Sequence, residues 1–191
     1  MRKVVISEFI TLDGVMEDPG GAENTERGGW AFMFQRGPEG DQFKVDELMA
    51  ADALLLGRKT YEGFAAAWPD RTGEFADKMN GMQKYVVSKT LEHPTWQNTT
   101  VLKGNIAEEV SKIKTKEGQD ILVAGSAMLV HALAEHNLVD EFRLMVFPVV
   151  LGKGKRLFIN ESKKTGLHLV KMQAVGNEGV VTLIYHPIRG E

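Results

Sequence analysis

The stretch from Leu54 to Glu62 constrains the fold of this chain more than any other feature of its 191 residues. Three consecutive leucines, Leu54 to Leu56, leave no polar face and predict a short buried strand. Gly57 then permits a sharp turn, and Arg58-Lys59-Thr60 open a predicted helix. The first turn of a helix offers unpaired N–H groups and a partial positive charge, and the two cations favour phosphate as the anion bound there. An ordinary strand-to-helix turn with solvated basic residues fits the same pattern equally well.

The order of strand, glycine and helix recurs later in the chain. Asp120 to Ala124 contains a predicted strand, and Gly125-Ser126-Ala127 leads into a predicted helix. A third strand, Lys84 to Ser88, is followed by Lys89, so a hydroxyl and a cation again stand where a strand stops. Ligands of open parallel sheets bind at the carboxyl ends of the strands. Three such ends therefore predict one extended, polyanionic ligand such as a dinucleotide.

The remaining pattern predicts one α/β domain over residues 1–191. Strands alternate with helices along most of the chain, which favours a mainly parallel central sheet. The first strand, Lys3 to Ile10, is apolar on both faces and is therefore predicted to be central. Two final strands, about Gly166 to Val175 and Val180 to Tyr185, flank Gly176-Asn177-Glu178-Gly179 and predict a C-terminal antiparallel hairpin.

A helix is predicted from Pro38 to Ala51, with the proline in its first turn. At about 100° per residue, its apolar stripe runs through four positions: Asp41, Val45, Leu48 and Met49. Asp46 and Glu47 are predicted to point away from this stripe. Asp41 is then a carboxylate at the end of an apolar stripe and a candidate site residue. The alternative is an early helical acid that complements the helix dipole.

Composition excludes several classes of function. The net charge of −3 gives no general attraction to nucleic acid, and no apolar run reaches the length of a membrane span. The absence of cysteine excludes thiolate zinc sites, iron–sulfur clusters and a cysteine nucleophile, and it is compatible with the reducing cytoplasm in which we expect the protein. The five histidines show no H-E-x-x-H spacing, so we expect no bound metal.

Four segments together resemble a known family. Leu56 to Glu62 resembles the MGRxTWE motif of dihydrofolate reductases, and Ser7 to Gly14 is similar to the S-x-D-G segment of the reductase domain of riboflavin biosynthesis. Leu138 to Arg143 and Pro148 to Gly154 resemble the LVDELRL and P-LLG-G segments of that same domain. From Lys3 to Tyr185, the chain is thus similar to the dihydrofolate reductase-like superfamily, on the side of the RibD C-terminal domain.

This resemblance implies a mostly parallel sheet of about eight strands flanked by helices, and NADPH as the cofactor. The implied cofactor contacts are Gly57, Arg58 and Thr60, with Lys59 beside them, for the phosphates; Ser88 and Lys89 for the adenosine 2′-phosphate; Gly125, Ser126 and Ala127 for the pyrophosphate; and Thr11, Leu12, Asp13 and Gly14 for the nicotinamide. An ungapped comparison with dihydrofolate reductase also sets Asp41 opposite the carboxylate that binds the substrate there.

The implied chemistry is hydride transfer, in which the protein positions the cofactor against a C=N or C=O group. In the riboflavin pathway the substrate would be a phosphoribosylaminopyrimidine, as for 5-amino-6-(5-phosphoribosylamino)uracil reductase. A proton must accompany the hydride, and Asp13, Asp41 or a water molecule is a candidate to orient or supply it. The alternatives are a dihydrofolate or pteridine reductase and a non-catalytic nucleotide-binding protein on the same fold.

The resemblance also implies a homodimer, because this family commonly pairs through its late strands. The apolar surface for pairing would come from four residues: Leu144, Val146, Val149 and Leu151. The alternative is that these side chains only fill the core.

Overall fold

Strands and helices alternate along most of the chain and end in a hairpin. The computed structural model describes residues 1–159 and 164–189. Its strands are β1 (Val4–Thr11), β2 (Ala51–Gly57), β3 (Gln83–Val87), β4 (Thr99–Leu102), β5 (Asp120–Val123), β6 (Glu141–Phe147), β7 (Leu167–Val175) and β8 (Val180–Pro187). Its helices are α1 (Gly37–Met49), α2 (Arg58–Ala67), α3 (Glu74–Gly81), α4 (Ile106–Thr115) and α5 (Ala127–Glu135), with a 3-10 turn at Trp30–Met33.

The eight strands form one sheet in the order β4-β3-β2-β5-β1-β6-β8-β7. Neighbouring strands from β4 to β6 run parallel, whereas β8 is antiparallel to both β6 and β7. The predicted α/β class, the mostly parallel sheet and the C-terminal hairpin are therefore confirmed. The central position of β1 is also confirmed, since it lies between β5 and β6.

Helices cover both faces of the sheet, which explains why its strands are apolar on both sides. On one face, α4 and α5 pack over a cluster that includes Ile6 and Val123. On the other face, α2 and α3 pack over Leu54 and Leu56. The three leucines that suggested a buried strand are all fully buried.

The prediction for the buried face of α1 is wrong at two positions. Leu48 of the predicted stripe is buried, but Asp41 is exposed, and Glu47, predicted to point away, is only 2% exposed. Glu47 forms an ion pair with Lys44 on the same helix and accepts a hydrogen bond from a serine of β1. Burial of a charged group is tolerated when it is paired and hydrogen-bonded, and a rule that turns only apolar residues inward misses such a face.

The four residues expected to form the apolar surface of a dimer are buried or partly buried in one chain. Leu144 is buried in the core, and Val146 packs against the same cluster. Val149 and Leu151 pack against a second cluster around Trp30. Leu144 is thus the buried member of the four, and the other three side chains are partly exposed.

No helix within residues 1–159 and 164–189 combines the length and the apolar character that crossing a membrane requires.

Candidate active site

The carboxyl ends of four parallel strands lie side by side at the same end of the sheet. Gly57 of β2 is beside Val87 of β3, and Leu55 is beside Val123 of β5. On the far side of β5, Val123 is beside Ile6 of β1. The turns that leave these strands are the ones that the sequence singled out. Four predicted segments therefore lie at this end of the sheet: Gly57-Arg58-Lys59-Thr60, Ser88-Lys89, Gly125-Ser126-Ala127 and Thr11-Leu12-Asp13-Gly14.

The turns after β2 and β5 pack directly against each other. A Cβ atom on Gly57 would lie 2.7 Å from Cβ of Ser126, and one on Gly125 would lie 2.8 Å from Cγ2 of Thr60. Gly125 has a φ of +77°, a conformation that favours glycine, and Ser126 has the uncommon φ of +67°. The two glycines thus allow the N-termini of α2 and α5, with their unpaired N–H groups, to come together.

Two cations open α2 beside this contact. The Arg58 side chain is 43% exposed, and its guanidinium lies 2.9 Å from a carboxylate oxygen of Glu62. An exposed pair of this kind contributes little to stability, so an anionic ligand can replace Glu62 as the partner of Arg58. Lys59 is also exposed. The turn therefore carries positive charge that is available to a ligand.

Ser88 holds the turn after β3. Its hydroxyl oxygen accepts hydrogen bonds from the backbone N–H groups of Thr90 at 3.2 Å and Leu91 at 3.0 Å. Ser88 is buried, whereas Lys89 is exposed. Of these two predicted residues, Lys89 is the one whose side chain reaches solvent.

Asp13 fastens the end of β1 to the loop after β6. Its carboxylate accepts hydrogen bonds from the Thr11 hydroxyl at 2.6 Å and from the backbone N–H groups of Leu151 at 3.2 Å and Gly152 at 2.8 Å, and it pairs with Arg156. Burial alone would raise the pKa of Asp13, but these hydrogen bonds outweigh it and lower the pKa to about 2. Asp13 can orient its neighbours, but it has no proton to give at neutral pH.

The other predicted residues of this turn differ in their exposure. Thr11 is buried, and its hydroxyl oxygen accepts a hydrogen bond from the Val15 N–H at 2.9 Å. Leu12 is 68% exposed, and Gly14 has a φ of +79° that supports the turn. Leu12 is therefore the apolar side chain that this turn offers to a ligand.

Asp41 does not join this group of residues. Its side chain is 65% exposed and lies 2.7 Å from the guanidinium of Arg36. The α1 carboxylate that faces the sheet is Glu47.

Comparison with known proteins gives the family. Residues 2–181 match the model of the RibD C-terminal domain. The chain belongs to the RibD C-terminal domain family. The uncharacterized Bacillus subtilis protein YyaP is 33% identical to it over 190 residues, which cover 97% of this chain and 95% of YyaP.

Solved structures similar to this RibD C-terminal domain share its fold. A Shewanella sp. PV-4 protein named for riboflavin biosynthesis has a TM-score of 0.77 at 19% identity and covers 98% of this chain and 99% of its own. The Thermotoga maritima diaminohydroxyphosphoribosylaminopyrimidine deaminase/5-amino-6-(5-phosphoribosylamino)uracil reductase has a TM-score of 0.64 at 15% identity, over 98% of this chain and 57% of its own. Enterococcus faecalis dihydrofolate reductase, solved with NADP(H) and RAB-propyl, has a TM-score of 0.62 at 14% identity, over 97% and 96%.

The sheet of this RibD C-terminal domain opens beside β1. The pairing of β1 with β5 covers only Val4 to Ile6, ending at Val123, whereas its pairing with β6 continues to Thr11. Beyond Ile6, no strand of the described chain therefore pairs with β1 on the side that faces β5. The turn at Gly125 follows the end of β5 at this opening.

The sequence pattern did not single out a buried carboxyl group that lies at this opening. Glu8 on β1 is 6% exposed, and its Oε1 accepts a hydrogen bond from the Gly125 N–H at 2.7 Å. On the adjacent residue, the Ser7 hydroxyl lies 2.5 Å from Oε1 of Glu47 and 2.6 Å from Nζ of Lys44. The available signal was that Glu8 is the one charged residue in the apolar sequence of β1.

Proposed function

We propose that this RibD C-terminal domain is an NADPH-dependent reductase that acts on a C=N or C=O bond of a small molecule. The observation that carries the proposal is the contact between the turns at Gly57 and Gly125 beside the opening next to β1. Membership of the RibD C-terminal domain family supports it, as does the NADP(H) complex of a dihydrofolate reductase with the same fold.

The residues at the carboxyl ends of these strands suit the binding of the phosphates of a dinucleotide. The two glycines leave no room for a side chain between α2 and α5, so backbone N–H groups of both helix ends remain close to a ligand. Arg58, Lys59 and Lys89 supply exposed positive charge. When bound, the reduced nicotinamide supplies the hydride. The part of the protein is to bind both molecules, to orient them and to exclude water.

We propose 5-amino-6-(5-phosphoribosylamino)uracil as the substrate, because the similar Thermotoga protein carries the reductase activity named for it. Dihydrofolate is the alternative that the dihydrofolate reductase fold supports. Steady-state assays that follow NADPH oxidation with each compound separate the two. Binding of NADPH without oxidation by either compound would indicate a nucleotide-binding protein instead.

The cofactor assignment is tested with R58A. Loss of a charge-assisted hydrogen bond to phosphate costs about 1.5–3 kcal/mol, which corresponds to roughly a 10- to 100-fold weaker Kd for NADPH. We count the 2′-phosphate among the phosphates that Arg58 binds. The Kd for NADH should therefore change much less, because NADH lacks this group. Fluorescence titration of wild type and variant with both cofactors measures this. R71A, which removes an exposed arginine beyond the end of α2, is the matched control, and equal losses for NADPH and NADH in R58A would contradict the assignment.

We also propose that the protein is a homodimer, through a different surface from the one that the sequence suggested. β7 is the last strand of the described sheet and exposes three apolar side chains: Leu169, Val170 and Met172. An exposed apolar edge strand favours pairing with another chain.

A further inference from the structure

The carboxyl group of Glu8 lies at the point where the sheet opens. On the β6 side of the strand, Glu8 pairs with Leu144. On the β5 side, Glu8 lies two residues beyond Ile6, which forms the last pair between β1 and β5. The Gly125 N–H, from the turn that leads into α5, donates a hydrogen bond to its Oε1 at 2.7 Å. Glu8 therefore joins the proposed cofactor turn to the unpaired edge of β1.

Charged groups of α1 also act on Glu8. The positive charge of Lys44 favours its ionised form, and the negative charge of Glu47 favours its protonated form. Glu47 uses one oxygen for Ser7 and Lys44, while its other carboxylate oxygen, Oε2, is buried without a hydrogen-bond partner. A buried polar atom without a partner is uncommon in folded proteins. Oε2 of Glu47 can accept a further hydrogen bond.

Glu8 is a buried carboxyl group that is protonated at neutral pH. The pKa of Glu8 is raised to about 8, and burial is the largest cause. The negative charge of Glu47 also raises this pKa, whereas the hydrogen bond from the Gly125 N–H and the positive charge of Lys44 lower it. Asp13, in the turn that follows the same strand, has a pKa of about 2 and is ionised. Asp41 is an exposed partner of Arg36. Neither of the two acids that the sequence suggested matches the position and the protonation of Glu8.

We propose that Glu8 donates the proton of the reduction, and that Gly125 and Lys44 stabilise the carboxylate that remains. This inference rests on the proposed reductase function. Reduction of a C=N or C=O bond adds a hydride to carbon, while the π electrons move to nitrogen or oxygen. That nitrogen or oxygen takes the proton of Glu8, so the O–H bond of Glu8 breaks as an N–H or O–H bond of the product forms. The Glu8 carboxylate then takes up one H⁺ from the bulk solution before the next turnover, so that each reduction consumes one hydride and one solvent proton.

The test uses E8Q, which keeps an oxygen that accepts the Gly125 N–H but removes the acidic proton. We expect E8Q to bind NADPH within a few-fold of wild type. Its kcat with 5-amino-6-(5-phosphoribosylamino)uracil or dihydrofolate should fall by about 100-fold or more, the usual contribution of a general acid. In wild type, kcat should decrease as the pH rises through about 8, where Glu8 ionises, and E8Q should lack this decrease. E117Q, at an exposed position outside the site, is the matched control.

A second measurement does not depend on turnover. Infrared spectra of wild type with 13C-labelled glutamate should show the C=O stretch of a protonated carboxyl group at pH 7, with and without NADPH. The band should disappear above about pH 8 and be absent from E8Q. Absence of the band from wild type, or its loss on NADPH binding at pH 7, would overturn the inference but not the reductase proposal, as would full kcat in E8Q. If NADPH binds to neither protein, both proposals are wrong.

Discussion

At the scale of single residues, Glu8 on β1 and Asp13 in the turn after it have opposite roles because their surroundings differ. Asp13 receives hydrogen bonds from a hydroxyl and two backbone N–H groups. Glu8 receives one from a backbone N–H and is otherwise enclosed by the protein. Hydrogen bonds to the charged form lower an acid's pKa, and burial raises it. The first acid is therefore suited to holding a loop and the second to holding a proton.

Replacement of Asp13 should make the protein less stable at neutral pH. The pKa of Asp13 is about 2 in the folded state and 3.8 as the ordinary value, a difference that corresponds to roughly 2 kcal/mol. The sign follows from linkage. This stabilisation is complete above the ordinary pKa and is lost as the pH falls through the folded-state value, since the unfolded chain takes up the proton first.

Urea unfolding of D13N at pH 7 and near pH 2 measures the effect. The variant should lose about 1–2 kcal/mol at pH 7, and the difference from wild type should shrink at the lower pH. D70N, at an exposed turn position, is the control. A D13N protein as stable as wild type at pH 7 would show that the loop after β6 does not depend on this carboxylate.

At the scale of elements, the contact between the two strand-to-helix turns requires glycine at both positions. A methyl group at Gly57 would collide with Ser126, whereas one at Gly63 within α2 would meet no atom within 4 Å. G57A should therefore lower the free energy of unfolding by about 1–3 kcal/mol, the usual cost of overpacking. G63A should be neutral or stabilising by up to about 1 kcal/mol, because alanine is the better helix former.

Chemical denaturation of the two alanine variants compares these effects directly, and NADPH titration of the same proteins shows whether the turn also serves the ligand. Addition of S126G to G57A should restore most of the lost stability, because it removes the colliding side chain and suits the left-handed φ at that position. An unchanged stability of G57A would mean that the two turns can separate without cost.

The elements differ in how well local sequence predicts them. β2 and β5 follow from apolar runs that end at glycine, and the C-terminal hairpin follows from two strands around Gly176 to Gly179; in each case the signal lies within a few neighbouring residues. The buried face of α1 does not follow, because Glu47 is buried through its contact with Ser7, 40 residues away. The role of Glu8 was hidden for the same reason, since its partner Gly125 is 117 residues away.

At the scale of the whole molecule, the exposed strand β7 predicts the assembly. Met172 is 66% exposed and Leu169 44%, and charge at such positions prevents edge strands from pairing. Light scattering after size-exclusion chromatography should give wild type about twice the chain mass of 21.2 kDa. L169E/M172E should elute as the monomer. M33E, which alters an exposed apolar residue outside the hairpin, should remain a dimer, and a dimeric double variant would exclude β7 as the interface.

The early end of the pairing between β1 and β5 has a consequence for cooperativity. The strands β4, β3, β2 and β5 are joined to β1, β6, β8 and β7 by a ladder of only three residue pairs, Val4 to Ile6 against Ile121 to Val123. The two halves of the sheet are thus connected across a short seam, and the opening continues that seam. A ligand bound in the opening would contact both halves of the sheet and add interactions between them. Amide hydrogen exchange along β1 should then slow on ligand binding well beyond the residues that the ligand touches.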